Sequence, residues 1–127
     1  MDATEQKQLV QDYIEAYNRF DVAGMLRPLH ENVVFRNITN GETDLTLTGK
    51  ESFRQQAEQA LQYFSRREQR VTEWQVADSR VEVLLDYTAV AALDFPNGLK
   101  AGDTLQLQGK SVFQFADGLI SSIDDIS

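Results

Sequence analysis

The C-terminal half of the chain alternates apolar and polar residues over two long stretches. The odd-numbered positions are mostly apolar, and they include Val81, Val83, Leu85, Tyr87, Ala89, Ala91, Leu93, Leu105, Leu107, Phe113 and Phe115. The even-numbered positions between them are mostly charged or polar. Because successive side chains of a strand point to opposite faces of a sheet, this pattern predicts antiparallel strands over residues 80–94 and 104–115, with one apolar face. The turn-forming pair Asp117-Gly118 then predicts a hairpin into a last strand over residues 119–126.

At the N-terminus the apolar residues recur at helical spacing instead of alternating with polar ones. Asp2 and Glu5 predict a capping box, followed by a first helix over residues 3–19. Asp21 predicts the N-cap of a short second helix that reaches Leu29, with Pro28 limiting its regularity. Apolar residues recur at helical spacing over residues 50–66, which predicts a third helix.

Three further strands are expected over residues 32–38, 44–48 and 69–77. The predicted order is therefore two helices, two strands, a third helix and four strands. This order is typical of an α+β fold in which helices cover one side of a mostly antiparallel sheet. A chain of 127 residues is long enough for a core of its own, so we expect a single domain over residues 1–127.

Composition narrows the possible partners. The net charge of −8 argues against nucleic acid, whose phosphates require Lys and Arg. The one basic cluster, Arg66, Arg67 and Arg70, falls at the predicted end of the third helix, where cations interact favourably with the helix dipole. The absence of Cys excludes disulfides and thiol catalysis. The N-terminal residues do not have the pattern of a signal peptide, and no apolar run could span a membrane, so we expect a cytoplasmic protein.

Three segments in this order resemble the SnoaL-like branch of the nuclear transport factor 2-like superfamily. They cover residues 10–18 with 21–25, residues 48–53, and residues 109–115 with 117–120. The resemblance implies a cone-shaped barrel of three helices and a curved sheet of about six strands. It also implies a homodimer formed through the outer sheet face, which here carries Leu84, Val90 and Val112. Members include polyketide cyclases, steroid isomerases, epoxide hydrolases, dehydratases and non-catalytic binders, so the fold alone does not fix the function.

The steroid isomerases offer a first comparison of site positions. They hold an oxyanion with a tyrosine of the first helix and a protonated carboxylic acid, while a second carboxylate moves the proton. The resemblance places Tyr13 at the tyrosine position, but Asn37 at the base position and Ser111 at the acid position. Isomerisation by that mechanism is therefore not expected. Tyr13 is either a catalytic donor or a core aromatic residue with a satisfied hydroxyl group.

The SnoaL-type cyclases offer a second comparison. The resemblance implies an acid–base aspartate near the end of the last strand, where Asp125 lies. A carboxyl group beside an apolar pocket should have a raised pKa, which suits proton transfer. The cyclases also have a histidine nearby, whereas the single histidine here, His30, is expected in solvent at the end of the second helix. The alternative for Asp125 is a solvated charge at the C-terminus.

Other chemistries find less support in the sequence. Epoxide hydrolysis in this superfamily requires an Asp–Arg–Asp arrangement, and the strand residues Arg36 and Arg80 lie on or near polar faces. One histidine and scattered carboxylates give no spacing typical of a metal site. No Gly-rich phosphate loop is present, so we expect neither a metal nor a cofactor.

The candidate pocket combines aromatic residues with a few polar ones. Asp125 and Tyr13 are the candidate catalytic residues, and the expected ligand-binding residues are Tyr17, Phe35, Asn37, Phe53, Trp74, Tyr87, Ser111, Phe113 and Ile123. This composition is typical of a site for a small apolar carbonyl or ring compound. The chemistry, if the protein is an enzyme, would be cofactor-independent proton transfer, as in an isomerase, cyclase or dehydratase. The alternative is a non-catalytic binding protein, or a dimeric interaction module whose core is closed.

Overall fold

The computed structural model describes all 127 residues as three helices packed on a six-stranded sheet. The elements are α1 (Ala3–Asn18), α2 (Val22–Leu26), β1 (Leu29–Thr39), β2 (Glu42–Thr48), α3 (Lys50–Ala60), β3 (Phe64–Ala77), β4 (Arg80–Ala91), β5 (Thr104–Ala116) and β6 (Leu119–Ile126). The strand order is β2-β1-β6-β5-β4-β3, and only the pair β1–β6 is parallel. The predicted α+β fold, with its element order and its mostly antiparallel sheet, is confirmed.

Side-chain caps define where the first two helices begin. Asp2 accepts a hydrogen bond from the backbone N–H of Glu5 at 2.8 Å, and Glu5 accepts one from the backbone of Asp2, which confirms the capping box. Asp21 caps α2, as predicted. This helix ends at Leu26, earlier than predicted: Arg27 still has helical backbone angles, but Pro28 has no N–H group with which to extend the helical hydrogen bonds. None of the helices is long and apolar enough to cross a membrane.

His30 does not lie where the sequence predicted. It is the second residue of β1 rather than the end of a helix, because Leu29 already pairs with Ile120 of β6. Its side chain is only 21 % exposed, and its Nε2 lies 3.1 Å from the Oδ2 atom of Asp117. The imidazole is therefore engaged at the β5–β6 turn.

The third helix is also shorter than predicted, ending at Ala60, and β3 begins at Phe64 instead of Gln69. Phe64 pairs with Ala91 of β4 and stacks on Phe95, with 5.7 Å between the ring centroids. These tertiary contacts outweigh the helical spacing of the local sequence. The segment rich in arginine therefore belongs to a strand.

The core lies between the helices and the apolar inner face of the sheet. Its largest fully buried side chains are those of Val10, Leu29, Val33, Val81, Val83, Phe113, Ile120 and Ile123. The alternation predicted for β4 is confirmed, because Val81, Val83 and Leu85 are all buried. The first half of β5 is covered less well, and Leu107 remains 48 % exposed.

The outer face of the sheet is mixed in character. Leu84 is 40 % exposed, whereas Val112 is only 5 % exposed within the single chain. Val112 lies in register between Glu82 and Asp124, which form ion pairs on the same face. The homodimer expected through this face stays a prediction.

Candidate functional site

Three neighbouring strands bring polar side chains into one row on the apolar inner face. Asp125 of β6 is the register partner of Asn37 in β1 and of Ser111 in β5. The same row continues to Val83 of β4, which is fully buried and marks this face as the inner one. Residues far apart in sequence thus meet because β6 lies between β1 and β5.

Asp125 is the titratable centre of this row. The Oγ atom of Ser111 donates a hydrogen bond of 2.6 Å to its Oδ1 atom. The pKa of Asp125 is raised to about 6, mainly by burial; the hydrogen bond from Ser111 opposes this shift, and the neighbouring charge of Asp124 adds to it. The carboxyl group can therefore release and accept a proton near neutral pH.

Two cavities meet at Asp125. The first, of about 220 Å³, lies between the helices and the sheet and is mostly apolar. The second, of about 190 Å³, lies towards β4 and β5. Both are lined by Tyr17, Asn37, Gln69 and Asp125. Wider surface depressions of about 350 to 540 Å³ are lined mainly by charged and polar residues. They are therefore far less suited to an apolar ligand than the two cavities at Asp125.

Most of the predicted pocket residues lie on the walls of these cavities. Tyr13, Phe35 and Phe53 line the first cavity, and Tyr87 and Ser111 line the second. Tyr17, Asn37 and Asp125 line both. The roles assigned to these residues stay predictions.

Three predicted pocket residues lie elsewhere. Phe113 and Ile123 are fully buried in the core and line neither cavity, because they pack directly under the helices. Trp74 packs against the edge of the core, with the Nζ atom of Lys7 at 4.9 Å from its ring centroid. The alternation along the strands correctly predicted the face of the sheet on which these three residues lie. The cavities, however, open only at one end of that face.

The tyrosines of the site all keep their protons at neutral pH. Burial and the nearby charge of Asp125 raise the pKa of Tyr13, whereas Arg67 lowers it by a smaller amount. The hydroxyl groups of Tyr17 and Tyr87 lie 2.9 Å apart, and burial raises the pKa of both. The Tyr13 hydroxyl group is therefore available as a hydrogen-bond donor, whereas one of the Tyr17 and Tyr87 hydroxyl protons is already used in the bond between them.

Arg67 is the residue that sequence reasoning missed. It was assigned to a basic cluster at a helix end, but it lies in β3, is only 6 % exposed and lines the first cavity. Its Nε atom donates a 2.8 Å hydrogen bond to the carbonyl oxygen of Tyr17, and its guanidinium lies 3.8 Å from the ring centroid of that residue. Successive side chains of β3 alternate between the two faces of the sheet, so the pattern that places Val71 on the inner face also places Gln69 and Arg67 there. This alternation could have identified Arg67 from the sequence.

One acidic side chain lines the cavities. Asp125 is the sole acidic residue on their walls, so no second carboxylate completes an Asp–Arg–Asp arrangement with Arg67. Arg36 and Arg80 form ion pairs with Asp124 and Glu82 instead. No group of three or more potential metal ligands occurs in the structure.

Residues 10–123 match the family model of the SnoaL-like domain. The chain belongs to the SnoaL-like family. This SnoaL-like chain therefore has a fold that serves small-molecule binding or catalysis, without a specific function following from it. No protein with curated functional information matches it significantly in sequence.

Solved structures resemble this SnoaL-like protein over nearly its whole length. A putative polyketide cyclase from Xanthomonas campestris pv. campestris is 25% identical, with a TM-score of 0.83 and coverage of 98% of this chain and 90% of that one. A putative polyketide cyclase from Pseudomonas putida is also 25% identical, with a TM-score of 0.71 and coverage of 92% and 86%. An LEH-like epoxide hydrolase from M. tuberculosis shares the fold at 15% identity, with a TM-score of 0.77 and coverage of 97% and 82%.

Proposed function

We propose that this protein binds a small apolar carbonyl or ring compound and transfers a proton to or from it through Asp125. One observation carries the proposal: a carboxyl group whose pKa burial raises to about 6 lies on the wall shared by two cavities. Structural carboxylates are usually solvated or paired with a cation, and Asp125 forms no salt bridge. A proton-transfer role accounts for the retention of this costly group.

The chemistry follows from the protonation states. The Asp125 carboxylate would take a proton from a carbon next to a carbonyl group, and negative charge would develop on the carbonyl oxygen. The protonated hydroxyl group of Tyr13 and the amide of Asn37 line the same cavity and would donate hydrogen bonds to that oxygen. Asp125 would then return the proton to the same carbon, which completes an exchange, or to another carbon, which completes an isomerisation. In a cyclisation the enolate carbon would instead attack a second carbonyl carbon of the same molecule, and Asp125 would give the proton to the alkoxide oxygen that forms.

Ser111 has a different role in this proposal from the one expected from the sequence. Its hydroxyl group already donates to the Oδ1 atom of Asp125 at 2.6 Å, so its proton is not free for a substrate oxygen. Ser111 is therefore a positioning residue that orients the carboxyl group and moderates its pKa.

Binding without chemistry is the second candidate function. The observation that favours it is the single acidic side chain: no second Asp or Glu and no histidine lines the cavities, and the side chain of His30 is engaged with Asp117. A cyclase of the SnoaL type would pair its aspartate with a histidine. A binding protein needs only the apolar walls and the hydrogen-bond donors.

Hydrogen–deuterium exchange at carbon separates the two functions without knowledge of the natural substrate. The protein would be incubated in D₂O with phenylacetone, 2-tetralone and phenylpyruvate, and loss of the proton signals next to each carbonyl group followed by NMR. We expect at least one compound to exchange faster than in buffer alone. Asp125→Asn should reduce the protein-dependent rate by at least about a hundredfold, since general base catalysis contributes roughly 10²–10⁴.

The neighbouring aspartate supplies the matched control. Asp124 lies on the outer face, bound to Arg36, and lines neither cavity. Its charge is the smallest of the three causes that shift the pKa of Asp125, so Asp124→Asn should leave the exchange rate within about twofold of that of the wild type. Ligand binding without any exchange would refute catalysis and support the binding protein. Exchange that persists in Asp125→Asn would refute the assignment of the base.

A further inference from the structure

Arg67 is a buried cation without a counter-ion. It forms no salt bridge, and its hydrogen bonds go to the carbonyl oxygen of Tyr17 and, through Nη2 at 3.9 Å, to the sulfur of Met25. The rings of Tyr17 and Phe20 offset part of the cost of burial through cation–π contacts. A buried charge without an anionic partner is unfavourable, so its retention requires a reason.

Part of the guanidinium group remains unused. Arginine has five N–H donors in a planar fork, and the two contacts described above occupy two of them. No fully buried side-chain nitrogen or oxygen in the structure lacks a hydrogen-bond partner. The Nη1 atom of Arg67, which forms no hydrogen bond, must therefore face space that a solvent or ligand atom can enter. Arg67 lines both the 220 Å³ cavity and the surface groove beside Phe20, and of these two only the cavity has mostly apolar walls.

We propose that Arg67 binds the carboxylate of the ligand, so that the protein takes a small organic acid in which an apolar ring is joined to a carboxylate. The inference rests on the function proposed above and narrows its ligand class. The guanidinium fork matches a carboxylate in geometry as well as in charge. The aromatic walls of the same cavity, Phe35 and Phe53, would hold the ring, and their own rings meet edge to face at 5.7 Å.

Arg67, Tyr13 and Asp125 all line the 220 Å³ cavity. The charges of Asp125 and Arg67 shift the pKa of Tyr13 in opposite directions, so the Tyr13 side chain is close to both groups. A ligand whose carboxylate is held at Arg67 would extend along this cavity and present its reactive carbon to Asp125.

The cavity limits the size of this ligand. Its volume of about 220 Å³ corresponds to the space of about seven liquid waters. A single ring with a short acid side chain fills such a space, and the adjoining cavity of about 190 Å³ leaves room for one further small substituent.

A matched pair of probes tests the proposal directly. Calorimetric titrations would compare 3-phenylpropanoate with 3-phenylpropanamide, which have the same shape and differ in charge. We expect the wild type to bind the acid at least about tenfold more tightly than the amide, since hydrogen bonds between charged groups are the stronger ones. Arg67→Gln should bind both with equal affinity. Arg66→Gln is the control, because Arg66 precedes Arg67 on the same strand but lines only the surface groove beside Phe20.

A second measurement uses the wild type alone, in case Arg67→Gln does not fold. The Nε–Hε resonance of Arg67 should shift when 3-phenylpropanoate is added and stay in place with the amide. Equal affinity for the two probes would overturn the anion proposal while leaving the apolar pocket intact. A preference for the acid that survives in Arg67→Gln, or disappears in Arg66→Gln, would also overturn it. Binding of neither probe would refute both this proposal and the open pocket.

Discussion

Asp125→Asn should make the protein more stable at neutral pH. Burial raises the pKa of the carboxyl group from 3.8 to about 6, which means that the folded protein disfavours the ionised form. A tenfold change in proton affinity corresponds to about 1.4 kcal/mol, so the shift corresponds to at most about 3 kcal/mol. An asparagine has no charge to desolvate and its carbonyl oxygen can still accept the hydrogen bond from Ser111.

The pH dependence gives the sign of this effect. Below pH 3.8 the carboxyl group is protonated in both states and imposes no cost on folding. Between about pH 4 and 6 the unfolded chain releases the proton while the folded protein retains it, so the stability of the wild type falls relative to that of the variant. Above about pH 6 the difference reaches its full size and stays constant.

Urea denaturation at pH 3.5, 5 and 7 measures this difference. Subtracting the unfolding free energies of the wild type from those of Asp125→Asn removes the titration of all other groups. The difference should increase by up to about 3 kcal/mol between the lowest and the highest pH. A difference that stays constant within about 0.5 kcal/mol, or that decreases, would refute the reasoning.

Asp124→Asn is the control for this experiment. Asp124 is the adjacent residue on the opposite face, and its ion pair with the half-exposed Arg36 contributes at most about 1 kcal/mol. The substitution should therefore destabilise the protein slightly at pH 7, opposite in sign to Asp125→Asn.

Three further predictions test other parts of the site and the core that lies beside it. Ser111→Ala should raise the pKa of Asp125 above about 6, because the hydrogen bond from Ser111 holds it down; NMR titration of the carboxyl carbon measures this. Tyr17→Phe and Tyr87→Phe should each cost about 1 kcal/mol of stability, and the double substitution should cost less than their sum, since both remove the same 2.9 Å hydrogen bond. Phe113→Ala should cost about 3–5 kcal/mol in urea denaturation, because the side chain is fully buried in the core.

The sequence determined the architecture well because its patterns are local. The capping residue Asp2, the Asp117-Gly118 turn and the alternation along β4 each act over a few residues, and the structure has each feature where it was predicted. The errors occur where a distant strand decides the local structure. Pairing of Leu29 with β6 and of Phe64 with β4 converts two predicted helix ends into strands.

The site was harder to predict for the same reason. The row through Asn37, Asp125 and Ser111 depends on the order of strands in the sheet, which the alternation of one strand does not reveal. Arg67 was missed because the start of β3 was placed too late. A bulge between Val71 and Glu73 also changes which residues of this strand turn inward.

The position of β6 has a consequence for how the protein folds. This strand lies between β1 and β5, so it joins the β1–β2 ladder to the β3–β4–β5 ladder. During synthesis the two ladders can form separately, but the sheet stays divided until residues 119–126 leave the ribosome. The contacts that unite the halves span much of the chain, and such contacts close slowly. The strand that completes the sheet also carries Asp125, so this carboxyl group meets Asn37 and Ser111 only when the two halves of the sheet are joined.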